Sequence, residues 1–148
     1  MSKEWIAPVY DRNENDILEV KSSPQVSAEL KGALCCTDVN RTDNNARYIF
    51  DLLSAEGYHP SGISENSTPL TSDDKPTVSQ INRLRQNLNN IITAWPPDRE
   101  PFVLSIYLKY DEVNAWEKLL TDIKTEVTMM KDSYIYCGAI NSGGDRLL

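Results

Sequence analysis

A single histidine, three cysteines, two phenylalanines and no long apolar run are all that 148 residues provide of several residue types that chemistry favours. Each scarcity removes a class of function. With His59 the one imidazole, neither a histidine-rich metal centre nor a histidine pair can be assembled, and its place between Tyr58 and Pro60 in a polar stretch reads as a solvated loop position. Cys35 and Cys36 are adjacent and Cys137 is distant, so an odd count excludes a fully paired framework and no Cys-x-x-Cys spacing exists. Free thiols of a chain made in a reducing cytoplasm are expected. There is no Gly-x-Ser-x-Gly elbow, and Gly143-Gly144 is too short to cradle a phosphate. Asp73-Asp74 and Asp43/Asp51 read as ordinary solvated acids. The expectation is a protein that is not an enzyme, with no cofactor and no metal.

Absences also limit the partners. No stretch approaches the ~20 apolar residues of a membrane helix, and the start, Met1 to Trp5, has no apolar signal core, so neither membrane insertion nor Sec export is expected. A net charge of −7 and a pI near 4.7 argue against a nucleic acid held by phosphate neutralisation.

The stretch around which the rest is organised is 77–95. Ile81, Leu84, Leu88, Ile91, Ile92 and Trp95 recur at three- and four-residue steps, which predicts one helix over about 78–94. Thr77 is placed to cap it, with Gln80 three residues on to complete a capping box, and Pro96-Pro97 ends it. The pattern appears three times. Val39, Ile81 and Val113, at spacings of 42 and 32 residues, are followed by Asn40, Asn82 and Asn114, then by Thr42/Leu84/Trp116, Ala46/Leu88/Leu120 and Ile49/Ile91/Ile123. The first two copies share Arg-x-x-x-Asn at Arg41/Asn45 and Arg83/Asn87. Unequal spacing excludes a regular solenoid. Three helices with a shared start signal are expected.

The fold predicted is mainly α: three amphipathic helices with this start motif, short N-terminal helices, an extended arm and a small C-terminal β-hairpin, in one elongated domain over 1–148. Residues 1–22 form an arm around Trp5 and a short helix through Ile17 and Leu18, capped from Asp11. Residues 23–56 hold a helix from Ser23-Pro24 to about Gly32, then one from Asp38 to about Ala55 closed by Gly57. The polar connection 57–76 is either mobile or draped along a partner. A helical hairpin fills 77–132, with 102–108 extended inside it and the third helix running from about Asp111 to Lys131. Residues 133–148 read as a strand over Tyr134–Ile140, a turn at Asn141–Gly144 and a short return.

Asparagine is a mediocre helix former, yet it is abundant here. Asn40, Asn82 and Asn114 lie within first turns, where they either satisfy free backbone amides or bind elsewhere. Asn87 and Asn90 lie too deep to cap, and a register-fixing hydrogen bond at a buried or interfacial position is the expectation. Trp95 and Trp116 read as core, and Trp5, on the arm, as an interface anchor. The candidate interface residues are Trp5, Tyr10, Asn82, Arg83, Asn87, Asn90, Asn114, Trp116, Tyr134 and Tyr136.

Several of these motifs carry a resemblance. Thr37-Asp38-Val39-Asn40-Arg41-x-x-x-Asn45 with Tyr48-Ile49, the arm Trp5-Ile6-Ala7-Pro8-Val9-Tyr10-Asp11-Arg12, Gln80-Ile81-Asn82-Arg83-Leu84-Arg85-Gln86-Asn87, Tyr110-Asp111-Glu112-Val113-Asn114-Ala115-Trp116-Glu117 and the closing Tyr134-Ile135-Tyr136-Cys137-Gly138 resemble segments of tail-associated proteins from phages and prophages of Gram-positive bacteria. Thr42-Asp43 departs from the usual Ile-Glu, and Cys35-Cys36 stands where small or polar residues are commoner. The resemblance implies a structural component of a virion or phage-tail-like particle, at the baseplate or the root of a fibre. Its partners would be other tail, baseplate or fibre subunits and further copies of itself around the tail axis. It brings no catalytic residues. The helices are expected to give much of their apolar face to a neighbour, and the terminal strand to pair with one. Two other functions fit the same residues: a cytoplasmic tail-assembly factor absent from finished particles, and a glycan-binding tail-tip protein using Tyr58, His59 and the Ser/Thr-rich connection.

Overall fold

The computed structural model describes residues 3–23, 31–66, 68–95 and 99–140, the last seven of these by their backbone alone. It is mainly helical: α1 (Glu14–Ser22), α2 (Cys36–Ala55), α3 (Val78–Ala94) and α4 (Tyr110–Ile140). No strand occurs among the described residues.

Local chemistry sets the helix ends. At α3 the Thr77 side chain accepts from the Gln80 amide, as expected, but Gln80 does not close a capping box; its carbonyl accepts from Arg83 instead. α2 starts at Cys36, two residues earlier than expected, because the Asp38 carboxylate accepts the Cys35 backbone N–H at 3.1 Å. α1 is capped by Asn13 with Asp16, not from Asp11. At the end of α2, Gly57 takes φ +89, and the Tyr58 amide returns to the Leu53 carbonyl while Gly57 returns to Ser54. This is the Schellman closure that glycine permits without strain.

The three long helices make one core, and they do so through the positions that repeat. Val39, Val113, Thr42, Leu84, Trp116, Ala46, Leu88, Leu120, Ile49, Ile91 and Ile123 are all buried, with Ile81 partly so. A further equivalent set, Leu53, Trp95 and Val127, completes it. α2 packs on both α3 and α4. It contributes the small Thr42 and Ala46 where α4 contributes Trp116 and Leu120, so volumes balance across the core. The apolar faces expected to serve a neighbour are therefore occupied within the chain, which is a correction. The helices over about 78–94 and 38–55 agree with expectation; what their stripes meet does not.

Two other expectations change. α4 continues through Ile140, so the strand predicted over Tyr134–Ile140 is helix: a lone hairpin with no third strand is marginal in water, and nothing before Gly138 interrupts the helical ladder. The turn and return at 141–148 lie outside the described residues, as does most of the helix predicted from Ser23-Pro24. Gly32 closes that region in a turn where an added Cβ would sit 2.4 Å from the Asp16 carbonyl oxygen, so α1 presses directly on it. The connection 57–76 is draped, but along the chain's own α2 and α3.

Leu88→Ala removes a side chain with no exposed surface and is expected to lower the unfolding free energy by about 2–5 kcal/mol. Urea denaturation followed by far-UV circular dichroism would measure it.

Candidate interaction site

Three extended segments lie on the helices, and each needs partners for backbone groups that no sheet satisfies. Asparagine side chains supply them. A carboxamide carries one acceptor and two donor hydrogens, so it can bind both the N–H and the C=O of a single residue. Asn45 does this to Ile6 at 3.0 and 2.8 Å, Asn114 to Arg12 at 3.1 and 2.9 Å, and Asn40 to Leu70 at 2.9 and 2.8 Å. Asn87 holds Ser64 at 2.8 and 2.7 Å, and Asn89 holds Phe102 at 2.7 and 2.9 Å. Asn90 adds a bond to the Gly62 carbonyl, and Asn82 accepts from the Ser105 amide.

The held residues fall at steps of two, three or six: Asn44 also binds the Glu4 carbonyl, Asn90 that of Gly62 and Arg85 that of Tyr107. On the arm the others are Ile6, Val9 and Arg12, with the Val9 amide donating to Glu117. On the connection they are Ser64 and Leu70, six apart; on the third segment, Phe102 and Ser105. The three-residue steps from Ile6 to Val9 to Arg12 and from Phe102 to Ser105 differ from the alternation of a β-strand. The segment 102–108, expected to be extended, is neither helix nor strand and bends at Ile106.

Charge ties the helices under these straps. Three bidentate pairs each bridge a different pair of helices: Arg41 with Glu117 between α2 and α4, Arg83 with Asp43 between α3 and α2, and Arg85 with Glu112 between α3 and α4. Asp43, Arg85 and Glu117 occupy equivalent repeat positions, and so do Arg41 and Arg83, while Glu112 lies one residue before its anchor Val113. Arg12 enters from the arm, reaching Asp38 at 2.9 Å and Glu117 at 3.1 Å, with its remaining donors on Val9, Lys31 and Asn114. The cluster of Arg12, Arg41, Asp38 and Glu117 is buried and balances to zero charge. Burial alone would lower the Arg41 pKa, but hydrogen bonds and charge from Glu117, then Asp38, outweigh it and hold Arg41 above its ordinary value. A raised pKa contributes stability in full below the unfolded value, so Arg41 stays charged across any physiological range.

The residues singled out in the sequence fall in several places. Asn82, Asn87, Asn90 and Asn114 all bind the chain's own straps, and none of Asn40, Asn82 and Asn114 caps its helix. Arg83 pairs with Asp43, and Trp116 is fully buried with its indole donating to Glu112 at 3.0 Å. Trp5 rests edge-on against Tyr48 at 5.4 Å, under Lys124. Tyr10 is exposed. Tyr134 and Tyr136 lie on the backbone of α4, their side chains outside the description. Arg12 and Glu117 were missed, although Arg12 ends the arm motif and Glu117 sits at an equivalent position in the third repeat.

Among the described residues no three His, Cys, Asp or Glu side chains are placed to hold a metal ion, and no helix is long and apolar enough to cross a membrane. An open cleft of about 510 Å³ lies over α2 between arm and connection, lined by Lys3, Asn40, Arg41, Asp43, Asn44 and Glu65. Tyr58 is half-buried in an edge-to-face contact with Trp95 at 4.9 Å between ring centroids, while His59 is exposed. No family model, curated protein or solved structure matches this chain.

Glu117→Ala leaves two buried guanidiniums to share the single carboxylate of Asp38 and should cost about 3–5 kcal/mol, whereas Glu65→Ala, at a half-exposed pair with Arg47, should cost under about 1 kcal/mol. Chemical denaturation of both variants checks the contrast. Asn87→Leu should cost about 1 kcal/mol globally and speed amide exchange at Ser64 well beyond that of core amides, by local release of the strap.

Proposed function

We propose that this protein is a non-enzymatic structural subunit of a phage tail or phage-tail-like particle, at the baseplate or the attachment site of a fibre, acting by protein–protein assembly. The observation that carries the assembly reading is the run Val103, Leu104, Ile106 and Tyr107, four large apolar side chains exposed on a segment that α3 holds in place. An exposed display of apolar side chains on a held backbone suits a protein surface. The particle comes from the resemblance of the arm and the helix starts to tail-associated proteins. Neighbouring tail, baseplate or fibre subunits are the partners, in copies arranged around the axis. The chain is made in the bacterial cytoplasm and ends in the particle.

Mass spectrometry of density-purified particles from an induced host tests this. The chain is expected in fixed stoichiometry with tube and sheath proteins. Abundance in the lysate with none in particles would favour a tail-assembly factor instead.

A further inference from the structure

The exposed run has a definite shape. Phe102 is held through both backbone groups by Asn89, Ser105 through both by Asn82 and Arg85, and the Tyr107 carbonyl by Arg85. Phe102, Ser105 and Leu108 are half-buried, while Val103 is 79%, Leu104 47%, Ile106 70% and Tyr107 76% exposed. Two exposed apolar pairs, Val103-Leu104 and Ile106-Tyr107, therefore stand on either side of Ser105, with the chain bending at Ile106 and the Tyr107 amide donating to the Ser105 hydroxyl. Both pairs face water on a backbone whose ordering has already been achieved by α3. The backbone groups of Val103, Leu104 and Ile106 make no hydrogen bond with described residues.

We propose that this ridge is a contact between two copies of the chain, packed antiparallel about a two-fold axis near Ser105. The proposal rests on the assembly reading and names one of its partners. Ridge and ends are self-complementary, which a two-fold contact demands. Antiparallel packing sets Leu104 of one copy beside Ile106 of the other, and Val103 beside Tyr107. Exposed Glu100 lies at one end of the ridge and exposed Lys109 at the other. The antiparallel arrangement brings Glu100 of each copy to the end where the other carries Lys109, whereas a parallel one sets like charge against like. An anionic lipid surface is disfavoured as occupant by the net charge of −7. The ridge offers on the order of 500 Å², within the range of functional patches on monomers but below the ~800 Å² per partner of stable complexes. The contact is accordingly weak alone and is reinforced where a second contact holds both copies in one particle.

Sedimentation velocity of the full chain from about 10 µM to 1 mM is the test, with circular dichroism confirming that variants fold. The weight-average mass should climb from monomer toward dimer. Ile106→Lys, at an exposed position, should weaken association at least ~10-fold. Glu100→Lys and Lys109→Glu should each weaken it, and the double variant should recover it. A chain that stays monomeric at the highest concentration, an Ile106→Lys variant that associates like the parent, or a double variant no better than either single one overturns the proposal. Recovery of a strictly monomeric chain in particles sinks the ridge contact but leaves the assembly reading standing. A dimer that fails on Ile106→Lys, in a chain absent from particles, supports the ridge contact and sinks the particle reading.

Discussion

The fold depends on the likeness between an asparagine side chain and a peptide group. Extended backbone outside a sheet leaves an N–H and a C=O at every residue, and water or a side chain must meet them. Here helices do so with carboxamides, each holding one residue at both of its polar groups. Asn45 and Asn87 are almost fully buried while doing this, so loss of either would leave polar backbone facing apolar surroundings. The straps in turn cover the helices and shield the ion pairs beneath. In this way three long helices, joined by long polar connections, become one packed unit.

Electrostatics gives the unit its register. A hydrophobic stripe tolerates some sliding, because one apolar side chain replaces another at little loss. A bidentate guanidinium–carboxylate pair does not, since both the direction and the spacing of its two bonds are fixed. One such pair between each two helices, with Arg12 locking the arm to the deepest of them, selects a single arrangement among those that burial alone would permit. Buried ion pairs are a poor source of net stability, and specificity of packing is the better account of their presence here.

Much of this could be read from the chain before any coordinates. The helices over 78–94 and from the Asp38 region to Ala55, and the shared apolar positions, follow from periodicity, and Gly57 was recognisable as a helix end. The role of the asparagines was half legible. Their number and depth showed that they mattered, yet a side chain that binds backbone looks the same in sequence whether the backbone is its own or a neighbour's. The end of α4 was misread because Tyr134, Ile135 and Tyr136 favour strands intrinsically, and that preference matters only when a sheet exists to receive them. The three-residue steps within the straps were missed since extended apolar segments are ordinarily tested for alternation. Phe102, Ser105 and Leu108 carry the signal faintly; Arg12 and Glu117 carry almost none until their meeting, 105 positions apart, is seen.

Because the helices grip main chain, the hold on a strap is largely indifferent to which side chains it bears. Every residue has the amide and carbonyl that Asn89 or Asn82 requires, apart from proline's missing hydrogen. Positions such as Val103, Leu104 and Ile106 therefore lie between fixed anchor points and can be exchanged with little effect on the scaffold. A protein built in this manner can drift rapidly in what it displays while its framework stays under tight constraint. Divergence in such a lineage would concentrate in the outward side chains of the straps and spare the asparagines that seat them.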